Sequence, residues 1–434
     1  MKDEASRAFR ENGPGSDDGS GPARMQAAQI AAEAVARRSY GKLVAFLAVR
    51  TRDVAMAEDA LSEAFASALV DWPKNGCPDN PEAWLLTAAR RKAIDVARGQ
   101  HRHQEATEQW KIMAEGLEHV LVDTGIPDQR LALMFACAHP AIEQGVRSPL
   151  ILQVVLGLDA KRIASAFLVS PTTMGKRLVR AKEKIREAGI PFRIPERKEL
   201  GERLEAVLDA IYAAFAEGWS DPAGTDPARR NLTSEAMFLA QLVVEIMPEE
   251  PEALGLLALL LHAEARRNAR RTKDGTFVPL AAQDTDLWDS RMIFQAEDLI
   301  RRASTHGSMG RYQLESALQS AHVFRRKTGI ANWKETVQLY DALLGLTGSP
   351  VVAINRALAM AEDNDSKAGL AILEELSGDS RIAEYQPYWA ARAELLTRTR
   401  DLTGARQAYE MAIGLERDPA VRRFLQTRQE SLAN

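Results

Sequence analysis

Chemistry in this chain concentrates in one short stretch, "SPTTMGKRLVRAKEKI" (170–185). Ser170 offers the hydroxyl of a helix N-cap, and Pro171 suits the first helical position, where no backbone N–H is required. In helical steps from there, Met174, Leu178, Ala181 and Ile185 form an apolar stripe, while Thr172, Thr173, Lys176, Arg177, Arg180 and Lys184 project elsewhere. Hydroxyls near a helix N-terminus, followed by guanidinium and ammonium groups, reach phosphates and base edges when a helix enters the major groove of DNA. A second basic stretch, "AWLLTAARRKAIDVARGQHRH" (83–103), sets Arg90, Arg91, Lys92, Arg98 and Arg102 against one acid, Asp95. Alone, such a helix is more often a solvated face than a DNA reader. Two basic elements add up, because phosphate neutralisation is cumulative.

Other reactive pairs lead nowhere. His101 and His103 have no third metal ligand at productive spacing and read as part of a solvated linker. Cys137 and His139 in "CAHP" read as a packed thiol and a helix-end histidine rather than a nucleophile and its base. No phosphate-cradling loop, Gly-rich fingerprint or zinc-protease motif occurs. No catalytic residue, metal or cofactor is expected.

The elements that must position these groups are helical. Asp159 can cap a short helix running to about Phe167, and "LVS" (168–170) makes a tight turn into the basic helix, which together match helix-turn-helix design. Upstream, Ile30, Val35, Leu43, Phe46 and Leu47 open an amphipathic pattern. "AMAEDALSEAFASALVDW" continues it, with Leu61, Phe65, Ala68 and Leu69 on one face and Glu58, Asp59, Ser62 and Glu63 largely on another. "PKNGCPDNP" (73–81) breaks the pattern, and a third helix runs from Pro81 through Arg98. Ala253–Leu261, "ALGLLALLL", is too short to span a bilayer and reads as a buried helix. Near the end, Ala393, Ala405 and Ala412 with Trp389 and Tyr409 stand at roughly tetratricopeptide (TPR) spacing, and Ala357 lies 36 positions before Ala393 in a degenerate earlier copy. A long loop, "TKDGTFVPLAAQDTDLWD" (272–289), interrupts the helices, with Trp288 as its anchor.

Bulk composition agrees. The chain has 434 residues, enough for about three domains. Residues 25–200 carry 25 Lys/Arg against 21 Asp/Glu, while 201–434 carry 27 against 34, so the two parts differ in charge. Cys77 and Cys137 are too few for a disulfide framework and are expected as free buried thiols in a cytoplasmic protein. The first residues lack the apolar core of a signal peptide and read as a disordered tail.

"AEDALSEAFASAL", "PEAWLLTAARRKAIDVAR" and "GLDAKRIASAFLVSPTTMGKRLVRAKEKI", in that order, resemble the two domains of an extracytoplasmic-function (ECF) sigma factor. "RLALMFACAHPAI", "AGIPFRIPE" and the helical second half resemble the subgroup with a TPR-like C-terminal extension. The resemblance implies an all-α protein: tail 1–24, sigma region 2 over 25–100, linker 101–127, sigma region 4 over 128–189, and a regulatory extension over 190–434. It implies that Glu58, Asp59 and Glu63 meet the clamp helices of the RNA polymerase β′ subunit. Arg90, Arg91, Lys92, Asp95 and Arg98 would recognise and open the minus-ten element of promoter DNA, which also requires a pocket for an extruded base. Thr172, Thr173, Lys176, Arg177, Arg180 and Lys184 would read the minus-thirty-five element. The extension would control activity and offers a surface for a regulatory protein or peptide, with no membrane partner. The sequence departs from the ECF pattern at Arg91, where Asn is frequent, and at Ser62, where Gln is common. The competing reading is a one-component helix-turn-helix regulator with a TPR-like sensor; a third is an enzyme or scaffold whose basic helices are plain surface.

Overall fold

In the computed structural model, residues 20–51, 54–100, 128–187, 195–219, 232–307 and 309–433 are described. Among them the fold is all-α, as expected, with a lone bridge between Arg271 and Phe277 in place of any strand. None of the described helices is long and apolar enough to cross a membrane. The described helices divide between two compact units.

The first unit holds α1 (Ser20–Thr51), α2 (Val54–Asn75) and α3 (Pro81–Gln100), each packed on the other two. α1 starts at Ser20, inside the stretch expected as tail, because the Pro22 of "SGPAR" needs no hydrogen-bond donor in a first helical turn. Val35, Leu43, Leu47, Leu61, Ala68, Leu85 and Ala89 form the core. Two expectations fail here. Ile30 and Leu69 are exposed, at 61% and 47%, since the core closes over the smaller Ala28, Ala64 and Ala68 of the same helices. Cys77 is exposed rather than buried, because the turn after α2 carries it out at Gly76, whose φ of +87° lets the chain leave the helix.

The second unit begins with α4 (Gln129–Cys137), α5 (Gln144–Val154), α6 (Ala160–Ala166) and α7 (Pro171–Glu187). It continues through α8 (Gly201–Trp219), α9 (Leu232–Ile246), α10 (Pro251–Ala265), α11 (Ser290–Ser304) and α12 (Arg311–Thr328). Further on come α13 (Trp333–Thr347), α14 (Pro350–Glu362), α15 (Ser366–Glu375), α16 (Gln386–Arg398), α17 (Leu402–Leu415) and α18 (Pro419–Glu430). From α12 onward each helix packs on the next. Ala357, Ala393, Ala405 and Ala412 are buried where α14 to α17 cross, small residues allowing close approach.

α10 is buried along nearly its whole length, as its unbroken apolar run requires. A Cβ at Gly255 would stand 2.6 Å from the Gln313 nitrogen, so α10 and α12 cross where only glycine leaves room. The 272–289 loop is pinned at both ends. Trp288 packs with Ala265, Ala269, Ile293 and Val323, and Phe277 meets Phe424 of α18 edge-on at 5.4 Å.

Candidate nucleic-acid interface

α7 forms as its caps dictate. Asp159 accepts from the Arg162 backbone N–H and starts α6. At the end of α6 the Val169 N–H bonds back to the Ala164 carbonyl, with Leu168 at φ +52°, a costly backbone for a leucine that fixes the turn. Ser170 then accepts from the Thr173 N–H at 3.2 Å and caps α7. Met174, Leu178 and Ile185 are buried, and Ala181 is half-buried. Thr172, Thr173, Lys176, Arg177, Arg180 and Lys184 are all exposed. Thr172, Lys176, Arg180 and Lys184 make one row at four-residue steps, with Thr173 and Arg177 beside it. Among the described residues none of these four cations forms an ion pair, so the row presents an uncompensated positive face. Val179, 57% exposed, sits within that face. The sequence pattern missed it; its signal was a β-branched residue standing off the buried stripe.

α6 leans on α5 and α8, and α7 leans on α5. Arg162 of α6 lies 3.9 Å from Glu217 of α8. Gln144 of α5 donates to Glu205 of α8 at 3.0 Å, and Arg130 of α4 pairs with Glu235 of α9. Arg203 of α8, 2% exposed, donates to the Phe135 carbonyl of α4 at 3.2 Å and meets Glu199 at 3.3 Å. Every residue from Leu131 to Ala138 is buried, Cys137 among them, so α4 is wrapped rather than laid on a surface. His139, at the end of α4, accepts from the Ala141 N–H through Nδ1, a helix-end role.

In the first unit, Asn80 accepts from the Ala83 N–H at 3.0 Å and opens α3. Leu85, Ala89 and Ala93 turn inward at four-residue steps, which leaves Arg90, Arg91 and Lys92 exposed. The side chains of Asp95 and Arg98, and the whole of 101–127 with His101 and His103, lie outside the described residues. Lys92 stands 3.5 Å from Glu63 of α2, both exposed. Asp59 is exposed and Glu58 half-buried. Burial, together with the Glu58 and Asp59 carboxylates, pushes the neighbouring Tyr40 phenol up to about 12.

The α2–α3 turn holds a cavity of about 350 Å³ lined by Trp72, Pro73, Lys74, Asn75, Gly76 and Cys77 with Ala28 of α1. That volume lies in the range of small-molecule pockets, about 300–1,000 Å³. The Trp72 indole N–H is buried without a hydrogen-bond partner among the described residues. Read as sequence, these residues were only a break between helices; the cavity depends on Ala28, more than forty positions away.

Residues 35–103 match the family described as Sigma-70 region 2, and residues 203–304 match a family of unknown function, DUF6596. An uncharacterized protein of Rhizobium meliloti (strain 1021) is 35% identical over 387 residues, covering 88% of this chain and 91% of the relative. No solved structure matches. The region 2 match falls on the unit with the exposed Arg90, Arg91 and Lys92, and the rhizobial likeness runs through both units. The chain therefore belongs to one family with that rhizobial protein and carries a Sigma-70 region 2 domain.

Proposed function

We propose that this chain is a sigma-70 factor of the ECF type, with region 2 over 25–100, a linker over 101–127, region 4 over 128–189 and a TPR-like extension over 190–434 that controls its activity in the cytoplasm. The observation that carries the reading is the outward row of Lys176, Arg177, Arg180 and Lys184 on a capped helix after a tight turn, all exposed and unpaired among the described residues. α7 reads the minus-thirty-five element. Arg177 and Arg180 are placed for base edges, Thr172, Thr173, Lys176 and Lys184 for phosphates, and Val179 for a thymine methyl.

α3 meets the minus-ten element through Arg90, Arg91 and Lys92, with Asp95 and Arg98 continuing the same helix. Strand opening needs a place for an extruded base, and the cavity with the orphaned Trp72 N–H supports that step. Glu58, Asp59 and Glu63 of α2 dock on the β′ clamp helices. The factor itself makes and breaks no bond; it couples duplex recognition to strand separation while attached to core polymerase. The antiparallel pairs α14–α15 and α16–α17, 36 residues apart, support the TPR-like reading and a surface for a regulatory protein or peptide.

Purified full-length protein, added to core polymerase, should start run-off transcription from a cognate promoter. Failure to bind core where a control sigma factor binds would overturn the proposal and return the chain to the one-component regulator reading.

A further inference from the structure

The densest charge that transcription initiation leaves unused lies where α8 ends at Trp219 and α10 runs out into "RRNARR" (266–271). Four guanidiniums meet there. Glu264 holds Arg267 with two bonds of 2.6 and 2.8 Å, and Asp418 of the distant α18 holds Arg271. Among the described residues, Arg266 and Arg270 have only neutral acceptors. Arg266 donates to the His262 carbonyl at 3.2 Å and to Gln319 at 2.6 Å, and Arg270 to the Trp219 carbonyl at 2.7 Å. Both are half-buried.

The Trp219 ring gathers the cluster. Arg270 lies 4.1 Å and Arg267 5.1 Å from its centroid, and Phe215 stacks on it at 5.6 Å. Among the described residues, four positive charges thus face two carboxylates. Burial, with repulsion from Arg267, Arg271 and Arg266, pushes Arg270 down to about 10; burial alone does the same to Arg266. One arginine on Trp219 would suffice to tie α8 to α10. Crowding four guanidiniums with two carboxylates costs desolvation and repulsion that a structural tie does not require. An excess of two charges on fork-shaped donors matches a phosphate dianion.

We propose that this arginine cluster binds the phosphate group of a small soluble ligand. The site lies within the stretch matching the family of unknown function, and it stands or falls independently of promoter recognition.

Titration of the full chain with inorganic phosphate and with pyrophosphate, at ionic strength matched by sodium chloride, tests it by calorimetry and thermal melting. Saturable binding that raises the melting temperature is expected. Arg270→Gln, checked for folding by circular dichroism, should weaken it by about tenfold or more, roughly 1.4 kcal/mol. Arg180→Ala on α7 should leave it unchanged. Should Arg270→Gln fail to fold, Arg266→Gln replaces it. No saturable response beyond chloride overturns the proposal, as does a folded cluster variant that keeps full affinity. Loss of phosphate binding in Arg180→Ala, or displacement of pyrophosphate from that variant by a scrambled DNA duplex, assigns the anion to nucleic acid and overturns it equally.

Discussion

The two basic helices stand on different supports. Among the described residues, α3 belongs to a unit of three long helices whose core includes Leu43, Leu61, Trp72 and Leu85. α7 belongs to a short helical group that is incomplete without α8 and α9. α4, the first helix of that group, is buried from Leu131 to Ala138, and part of that cover comes from those two helices. The difference teaches that a boundary drawn at a proline-bounded connector need not be a boundary of stability. The sequence reading sets a boundary between the two halves at 190–196, a proline-bounded connector, yet Arg203 just beyond it hydrogen-bonds the Phe135 carbonyl of α4.

The largest effect should come from cutting at that connector. A chain ending at Pro195 loses α8 and α9, exposing Leu131, Leu133 and Phe135, each worth about 1.5–3 kcal/mol when buried. That loss rivals a typical domain stability of roughly 5–15 kcal/mol. Residues 128–187 should lose amide-exchange protection while 20–100 keep theirs. A chain ending at Gly329, which keeps α8 to α12, should protect both. Equal protection of 128–187 in the two truncations would erase the contrast between the supports.

Acid should separate the units next. Burial and the Arg266 charge hold His262 down to about 4, and burial with Arg325 and Arg266 does the same for His322. Glu297 lies 3.4 Å from His262 Nε2 and would favour the charged ring, but it is already engaged by the Ser320 hydroxyl. Burial wins. Since the unfolded chain takes up these protons near the ordinary 6.5, the second unit should lose stability as pH falls from about 6.5 towards 4. The first unit has no histidine among its described residues and should take a shallower course. Melting scans across that range decide the sign. Stability of the second unit lost on raising pH through 6.5 would mean that Glu297 dominates.

Arg203→Ala attacks the support of α7 at one point. It strands the Phe135 carbonyl and removes the ion pair to Glu199, a loss of about 2–4 kcal/mol given that Glu199 is partly exposed. Urea unfolding should register it in the second unit only. On the outer face, Arg177→Ala and Arg180→Ala should leave stability unchanged within about 0.5 kcal/mol. Each should cost promoter binding about 1–3 kcal/mol if it meets a base edge. No loss in a promoter-binding assay would take that residue out of the site.

What could be read in advance was local. Asp159, Ser170 and Pro171 announce α6 and α7 because caps act within three residues, and Met174, Leu178 and Ile185 fall inward because helical period is local too. What stayed hidden depends on distant partners. A sequence shows Arg203 as one more arginine; only the Phe135 carbonyl, 68 positions away, makes it a buried strut. "RRNARR" is a run of four arginines in sequence, and only the fold brings Trp219 and Asp418 to it. Leu69 belongs to an apolar stripe by period, yet it faces outward because Ala64 and Ala68 complete the packing without it.

The smallest effect tests the helix faces themselves. Lys92 and Glu63 are assigned to different partners, DNA and polymerase, yet they face each other at 3.5 Å with side chains 48% and 63% exposed. An exposed pair of this kind couples by about 0.2–1 kcal/mol and weakens with salt. A double-mutant cycle of Lys92→Ala and Glu63→Ala, read by urea unfolding of the full chain, should return that value. Either partner can then be withdrawn at little cost when DNA or polymerase arrives. On α7, Lys176, Arg177, Arg180 and Lys184 have no equivalent competitor among the described residues. Removing Glu63 should therefore raise the affinity of the α3 face for non-specific DNA slightly at low salt while leaving that of α7 as it was. A coupling above about 2 kcal/mol would exceed what a solvated pair can supply. Lys92 and Glu63 would then be a strut between α2 and α3, and neither would remain in the proposed interfaces.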